Sequence, residues 1–219
     1  MKLSKETITI LKNYSTINSN LLLLGGSVIK TKSEQNSILS SATVNDSFPS
    51  EFGIYDLNEF LGVLTLFNDP DLEFTDKSVR ISEGSTSIKY FAADKTVLSV
   101  PTKDVVLTDT VVSFKLSAET LSLIFKTSSV LRVPDVSFIG SDGELKIVVS
   151  DKKNLTSNAF EVKIGETDMQ FRINVKIDMM KFIPTDYDVE ISSSRISKFS
   201  ACKSDLVYFI GVESDSTFE

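Results

Sequence analysis

The sequence predicts an α+β chain made of two similar domains, each an antiparallel sheet with helices packed on one face. Three observations predict it. Lys2-Leu3-Ser4-Lys5-Glu6-Thr7 returns at mid-length as Lys115-Leu116-Ser117-Ala118-Glu119-Thr120, five of six residues alike. Each copy is followed by a helical run and then by short strand-like runs. The later elements also keep one order in both halves, as in a duplicated unit, and 219 residues suffice for two small domains. The predicted boundaries are 1–95 for the first domain, 96–112 for a connector and 113–219 for the second.

The elements follow from local pattern. Ser4 caps a helix running to about Asn13, with Ile8, Leu11 and Tyr14 inward and Lys5, Thr9 and Lys12 on another face. Strands are expected over 21–30, 37–44 and 51–55, with Gln35-Asn36 as a hairpin tip. Asp56 caps a second helix, with Glu59 three residues on and Leu57, Phe60, Leu61 and Leu64 as its apolar stripe. Asn68-Asp69-Pro70 ends it. Strands follow over 71–75, 78–82 and 87–91. Residues 94–112 lack clean alternation, and Pro101 bars a central strand, so they read as an extended connector.

The second half repeats the plan. Ser117 caps a helix to about Val130, with Leu121, Ile124 and Phe125 inward and Ser122, Lys126 and Ser129 outward. Strands are expected over 136–140, 145–150 and 160–164, with Ser141-Asp142-Gly143 as a hairpin turn. Phe171 to Ile177 alternates as a half-buried strand should. Asp178 is then expected to open a short helix, Met179 to Ile183, ended by Pro184. Strands over 187–192, 196–201 and 206–212 close the pattern. Tyr55-Asp56-Leu57 answers Ile177-Asp178-Met179, and Leu72-Glu73-Phe74 answers Val189-Glu190-Ile191.

Composition narrows the chemistry. Twenty-three basic against thirty acidic residues give a net charge of −7, which argues against a chain that coats nucleic acid uniformly but allows a basic face on an acidic body. The absence of histidine removes imidazole bases and His metal ligands. The single Cys202 reads as a structural thiol in a reducing compartment. No metal or cofactor is expected. No apolar run is long enough for a membrane span, and the first residues show no signal-peptide pattern. Gly25-Gly26 and Gly62 match no phosphate-cradling loop.

An antiparallel sheet of this kind leaves edges, and a chain of two such units can pair its free edges with identical chains and close a ring. The helices then share one side. At this point the chain resembles a known family, the DNA polymerase sliding clamps of large tailed phages. The resemblance rests on Met1-Lys2-Leu3-Ser4-Lys5, Leu11-Lys12-Asn13, Thr16-Ile17-Asn18-Ser19, Ile54-Tyr55-Asp56-Leu57-Asn58, Phe60-Leu61-Gly62 and Glu213-Ser214-Asp215-Ser216-Thr217, in that order. It covers the whole chain, the second half chiefly through its element order.

The resemblance implies two sliding-clamp (DNA clamp) domains, with antiparallel sheets outside and helices lining the inner face of a ring. It implies a non-enzyme that forms a homotrimer around duplex DNA and tethers the replicative polymerase. A clamp loader ATPase would open the ring, and the clamp would also assist late viral transcription, all in the cytoplasm of the infected host cell. Lysines suit such a lining, because they attract phosphate without capturing it geometrically, and base-reading contacts would pin the ring. The DNA-facing candidates are Lys2, Lys5, Lys12, Lys115, Lys126, Arg132 and Lys181. The candidate partner-peptide pocket is Val100, Pro101, Val105, Leu107 and Val212. The candidate subunit interface joins a strand carrying Ile88 and Tyr90 to one carrying Phe160 and Val162. Two other classes compete. A strand-rich structural or adhesion module of a virion would leave the repeated basic helices unexplained. A carboxylate-dependent hydrolase would need paired acids, whereas Asp56 and Asp178 read as caps and Asp69-Pro70-Asp71 as a turn.

Overall fold

The computed structural model describes residues 1–219 except Lys103, Leu155 and Glu219. The chain forms two compact units, Met1–Asp104 with Ser204–Leu206, and Val105–Lys203 with Val207–Glu219.

The first unit opens with α1 (Lys5–Ile17), whose Ser4 hydroxyl accepts the Thr7 amide at 3.2 Å. The helix passes the expected stop at Asn13. Thr7, Ile10, Leu11, Tyr14 and Ile17 are all buried at helical spacing, so packing carries it through Ser15 and Thr16. Ile8 lies at the edge of this stripe, half-buried. β1 (Leu21–Leu23) and β2 (Gly26–Lys32) follow, with Gly26 opening β2 at φ 97°, a conformation that favours glycine. β3 (Ile38–Phe48) pairs with β2 through a turn holding Asn36 at φ 56°, and β4 (Phe52–Ile54) pairs with β1. β3 outruns its expected end at Val44 because alternate burial continues to Phe48.

Asp56 starts α2 (Leu57–Leu64), its carboxylate accepting the amides of Asn58 and Glu59 at 2.9 and 3.0 Å. The predicted stripe Leu57, Phe60, Leu61 and Leu64 is buried throughout. A meander completes the unit: β5 (Asp71–Phe74), β6 (Ser78–Glu83) and β7 (Thr86–Phe91), with β7 outermost. It packs on α2 through Phe60 and Tyr90, edge to face at 5.3 Å.

The second unit begins with a strand that the sequence pattern hid, β8 (Thr110–Leu116). It leads into α3 (Ala118–Leu131), where the Ser117 hydroxyl accepts the Thr120 amide at 3.1 Å, the same cap as in α1. β9 (Asp135–Ser141), β10 (Glu144–Ser150), β11 (Phe160–Glu166) and β12 (Phe171–Lys176) form a sheet in the order β11-β10-β9-β12, extended by β16 (Thr217–Phe218). Asp142 at φ 55° and Gly143 at φ 79° make the tight hairpin turn. β13 (Tyr187–Ser192), β14 (Ile196–Ala201) and β15 (Leu206–Gly211) form the second meander, with β8 beside β13.

The helix expected over Met179–Ile183 is absent. A 3-10 turn, Ile177–Met179, stands there, and Asp178 lies inside it rather than capping a helix. Pro184 disfavours helical backbone at Ile183. Side chains hold the segment instead. Phe182 packs at 4.6, 4.8 and 5.8 Å against Phe199, Tyr208 and Tyr187. The Tyr187 hydroxyl donates to the Ile183 carbonyl at 2.6 Å, and the Ile183 amide donates to the Tyr208 hydroxyl at 3.3 Å.

The repeat survives in the pairing. Met1 and Leu72 exchange both backbone hydrogen bonds at 2.7 Å, and Phe114 pairs with Val189. Leu3 answers Leu116, and the same offset aligns Met1 with Phe114; Leu72 answers Val189 at an offset four residues longer, so the repeat carries a gap between them.

Candidate functional site

The basic candidates lie on α1 and α3, just before or after them, or, for Lys181, beyond the 3-10 turn. Lys5 and Lys12 are exposed on α1, seven residues or about 10 Å apart along the axis. Lys126 is exposed on α3, and Arg132 ends that helix in the left-handed conformation at φ 55°. Lys181 is exposed beyond the 3-10 turn. Lys2 and Lys115, equivalent in the repeat, are each engaged by an acid: Lys2 by Asp69, and Lys115 by Asp188 at 3.2 Å. The Asp69 hydrogen bond holds the Lys2 ammonium above its ordinary pKa. Both pairs are exposed, so they are easily exchanged for another anion. Lys12 also borders a cavity of about 200 Å³ floored by Leu3, Ile8, Leu61, Leu64 and Leu72.

The interface candidates lie on outermost strands. β7 ends the β5-β6-β7 sheet and β11 ends the β11-β10-β9-β12-β16 sheet, so among the described residues each is an edge strand with one side outside the ladder. Ile88, Phe160 and Val162 are half-buried, and so is Tyr90, whose hydroxyl donates to the Asp56 carbonyl at 3.3 Å and is pushed up in pKa mainly by burial. Two further residues belong to these edges. Phe91 is 66% exposed, with the Lys89 ammonium 5.0 Å from its ring centre, and Val130 is 72% exposed. Beside β11, Leu123, Val130, Leu131, Ala159 and Phe160 line an open hollow of about 390 Å³. Inward-face periodicity passes over such residues. The available signal was apolar side chains at both parities of β7, Tyr90 and Phe91, and off the inward stripe of α3.

The pocket candidates divide between the units. Val100 and Pro101 are half-buried in the first; Val105, Leu107 and Val212 are half-buried in the second. Val212 is fixed by its amide, which donates to the Arg195 carbonyl at 3.1 Å.

A duplicated unit of capped helix, sheet, second helical segment and meander, with lysines on the capped helices, defines a class: a two-domain DNA clamp. Comparison with known proteins agrees. A family model described as DNA polymerase processivity factor matches residues 4–100, and one described as gp45 sliding clamp, C terminal, matches residues 113–214. The sliding clamp of Vibrio phage KVP40 is 34% identical over 97% of this chain and 99% of its own length; that of Escherichia phage RB69 is 31% identical over all of both. In fold, the chain is similar to the proliferating cellular nuclear antigen of Entamoeba histolytica (TM-score 0.67, 12% identity, 94% of each chain). It is likewise similar to the DNA polymerase III subunit beta clamp of Bartonella birtlesii (TM-score 0.70, 13% identity), covering 97% of this chain and 64% of that longer one. The chain belongs to the phage sliding-clamp family and is a DNA polymerase processivity factor. Among the described residues no helix is long and apolar enough to cross a membrane.

Proposed function

We propose that three copies close head to tail into a ring around duplex DNA, each β7 edge pairing with the β11 edge of the next copy. The observation that carries this is the pairing of an edge strand with an exposed apolar side chain in each unit: Phe91 on β7 in the first, and Val130 beside β11 in the second. On closure Phe91 of one copy enters the hollow between α3 and β11 of its neighbour, covering Val130 and Phe160. Lys5, Lys12, Lys126, Arg132 and Lys181, with Lys2 and Lys115 at the helix entrances, form a mobile cationic lining. The chain as a whole carries −7 with these cations included, so the remainder is more acidic still and repels DNA from the outside. Retention is topological, so the contacts stay weak and independent of sequence.

The protein performs no catalysis of its own. A clamp loader ATPase opens the ring, and the replicative polymerase docks through an apolar tail at Val100, Pro101, Val105, Leu107 and Val212, with micromolar affinity, roughly −8 kcal/mol. Partners that share the site in turn include late transcription factors, in the cytoplasm of the infected cell. Light scattering tests the assembly. A mass near three times 24.2 kDa supports it, and a monomer at micromolar concentration contradicts it.

A further inference from the structure

Asp109 in the second unit stands just before β8, where that strand slips register. Val112 pairs with Ile191 and Thr110 with Ser192, leaving Val111 as a bulge. Bulges re-aim neighbouring side chains, and here the Asp109 carboxylate comes to lie over the β13–β14 turn. It accepts the Ser192 hydroxyl at 2.9 Å and the Ser193 hydroxyl, which together hold it below the usual carboxylate range. The same turn grips a second segment. Arg195 sits in the left-handed region at φ 64°, its guanidinium donating to the carbonyls of Glu213 (3.4 Å) and Ser214. Its own carbonyl accepts the Val212 amide at 3.1 Å. A glycine would hold that backbone without strain, so the side chain is what the position uses. Asp109, Ser193 and Arg195 are exposed and contribute little to the core. Three residues at one turn, Ser192, Ser193 and Arg195, thus hold two segments far apart in sequence, one running from Leu107 through Asp109 and the other following Val212.

We propose that Asp109, Ser192, Ser193 and Arg195 form a clasp that fixes these two segments and positions Leu107 and Val212 to receive an extended peptide with apolar anchors. The clasp rests on the reading of those two residues as partner-binding. Fixing the segments before binding lowers the ordering cost that a peptide would otherwise meet.

The test uses full-length protein and a fluorescent peptide copied from the C-terminal tail of the polymerase encoded by the same genome. Asp109→Ala and Arg195→Gly should each weaken the peptide by about fivefold with an unchanged melting temperature, the size expected for losing one ordered contact. Hydrogen exchange should quicken at 105–109 and 212–214. Arg195→Lys, which still offers donors to the two carbonyls, should restore most of the affinity. Leu107→Glu separates the two readings. If it abolishes binding while Asp109→Ala and Arg195→Gly bind normally, the clasp is overturned and the pocket stands. If Leu107→Glu binds normally, the pocket reading fails and the role of the clasp fails with it.

Discussion

Replacing Phe91 by alanine should open the assembly without touching the fold. A phenylalanine presents on the order of 200 Å² of surface, and Phe91 keeps 66% of its surface exposed within the chain. Seating it in a neighbour therefore removes roughly 130 Å² from water, worth about 3 kcal/mol at 25 cal/mol per Å². Alanine keeps the β-carbon, so the loss is about 2–3 kcal/mol per interface, or roughly 50-fold. A closed trimer has three such interfaces, so the concentration at half dissociation should rise by about two to three orders of magnitude. Within the unit the change costs the buried third of the side chain and the contact of Lys89 with the ring, about 1–2 kcal/mol. Light scattering over a dilution series reads the first effect and thermal melting the second. A variant that dissociates at the same concentration as the unchanged protein would refute the placement of Phe91 in the interface. A variant that melts far lower would show that Phe91 serves the unit's own core.

Other expectations follow from the same reasoning. The quadruple change of Lys5, Lys12, Lys126 and Lys181 to alanine should leave size and folding intact and abolish processive synthesis at physiological salt, with a shallower salt dependence of DNA retention; normal processivity would remove these lysines from the DNA-facing surface. Phe182→Ala should cost about 3–5 kcal/mol in denaturant unfolding, because its ring packs on three aromatic neighbours; a loss below about 1 kcal/mol would mean that the segment after β12 is held by other contacts. Asp46 is raised in pKa by burial but lowered more by hydrogen bonds from Thr7 and from the Ser4 amide and hydroxyl, a net depression. A depressed carboxylate stabilises above its unfolded pKa and loses that contribution as pH falls through its folded value. Asp46→Asn should therefore destabilise near pH 7 and make little difference near pH 2, checked by paired melting curves; an equal effect at both would assign Asp46 a role independent of charge.

Much of the fold was legible because local chemistry and tertiary packing agree. Ser4, Asp56 and Ser117 each precede an apolar helical stripe, and each caps a helix. The sequence misled where packing overrides local preference. Tyr14 and Ile17 draw α1 past polar residues that favour a stop, and Phe182 replaces helical hydrogen bonds with a place in an aromatic cluster. β8 was hidden because the bulge at Val111 sets two valines side by side and breaks the alternation that marks a strand. Lys5, Lys12 and Lys126 were legible as outward helix positions, whereas Lys181 was read onto a helix that does not form. The exposed apolar residues Phe91 and Val130 were not legible, since a rule that places apolar groups inward says nothing about those left outside. The Asp109–Ser193 contact joins residues 84 apart, beyond any local pattern.

Encirclement itself is tested most directly on DNA of two topologies. With its loader and ATP, the protein should remain on a nicked circular duplex through gel filtration in moderate salt, and should be lost when the same DNA is cut once. Equal retention on the circular and the linear molecule would contradict a ring that holds DNA by topology.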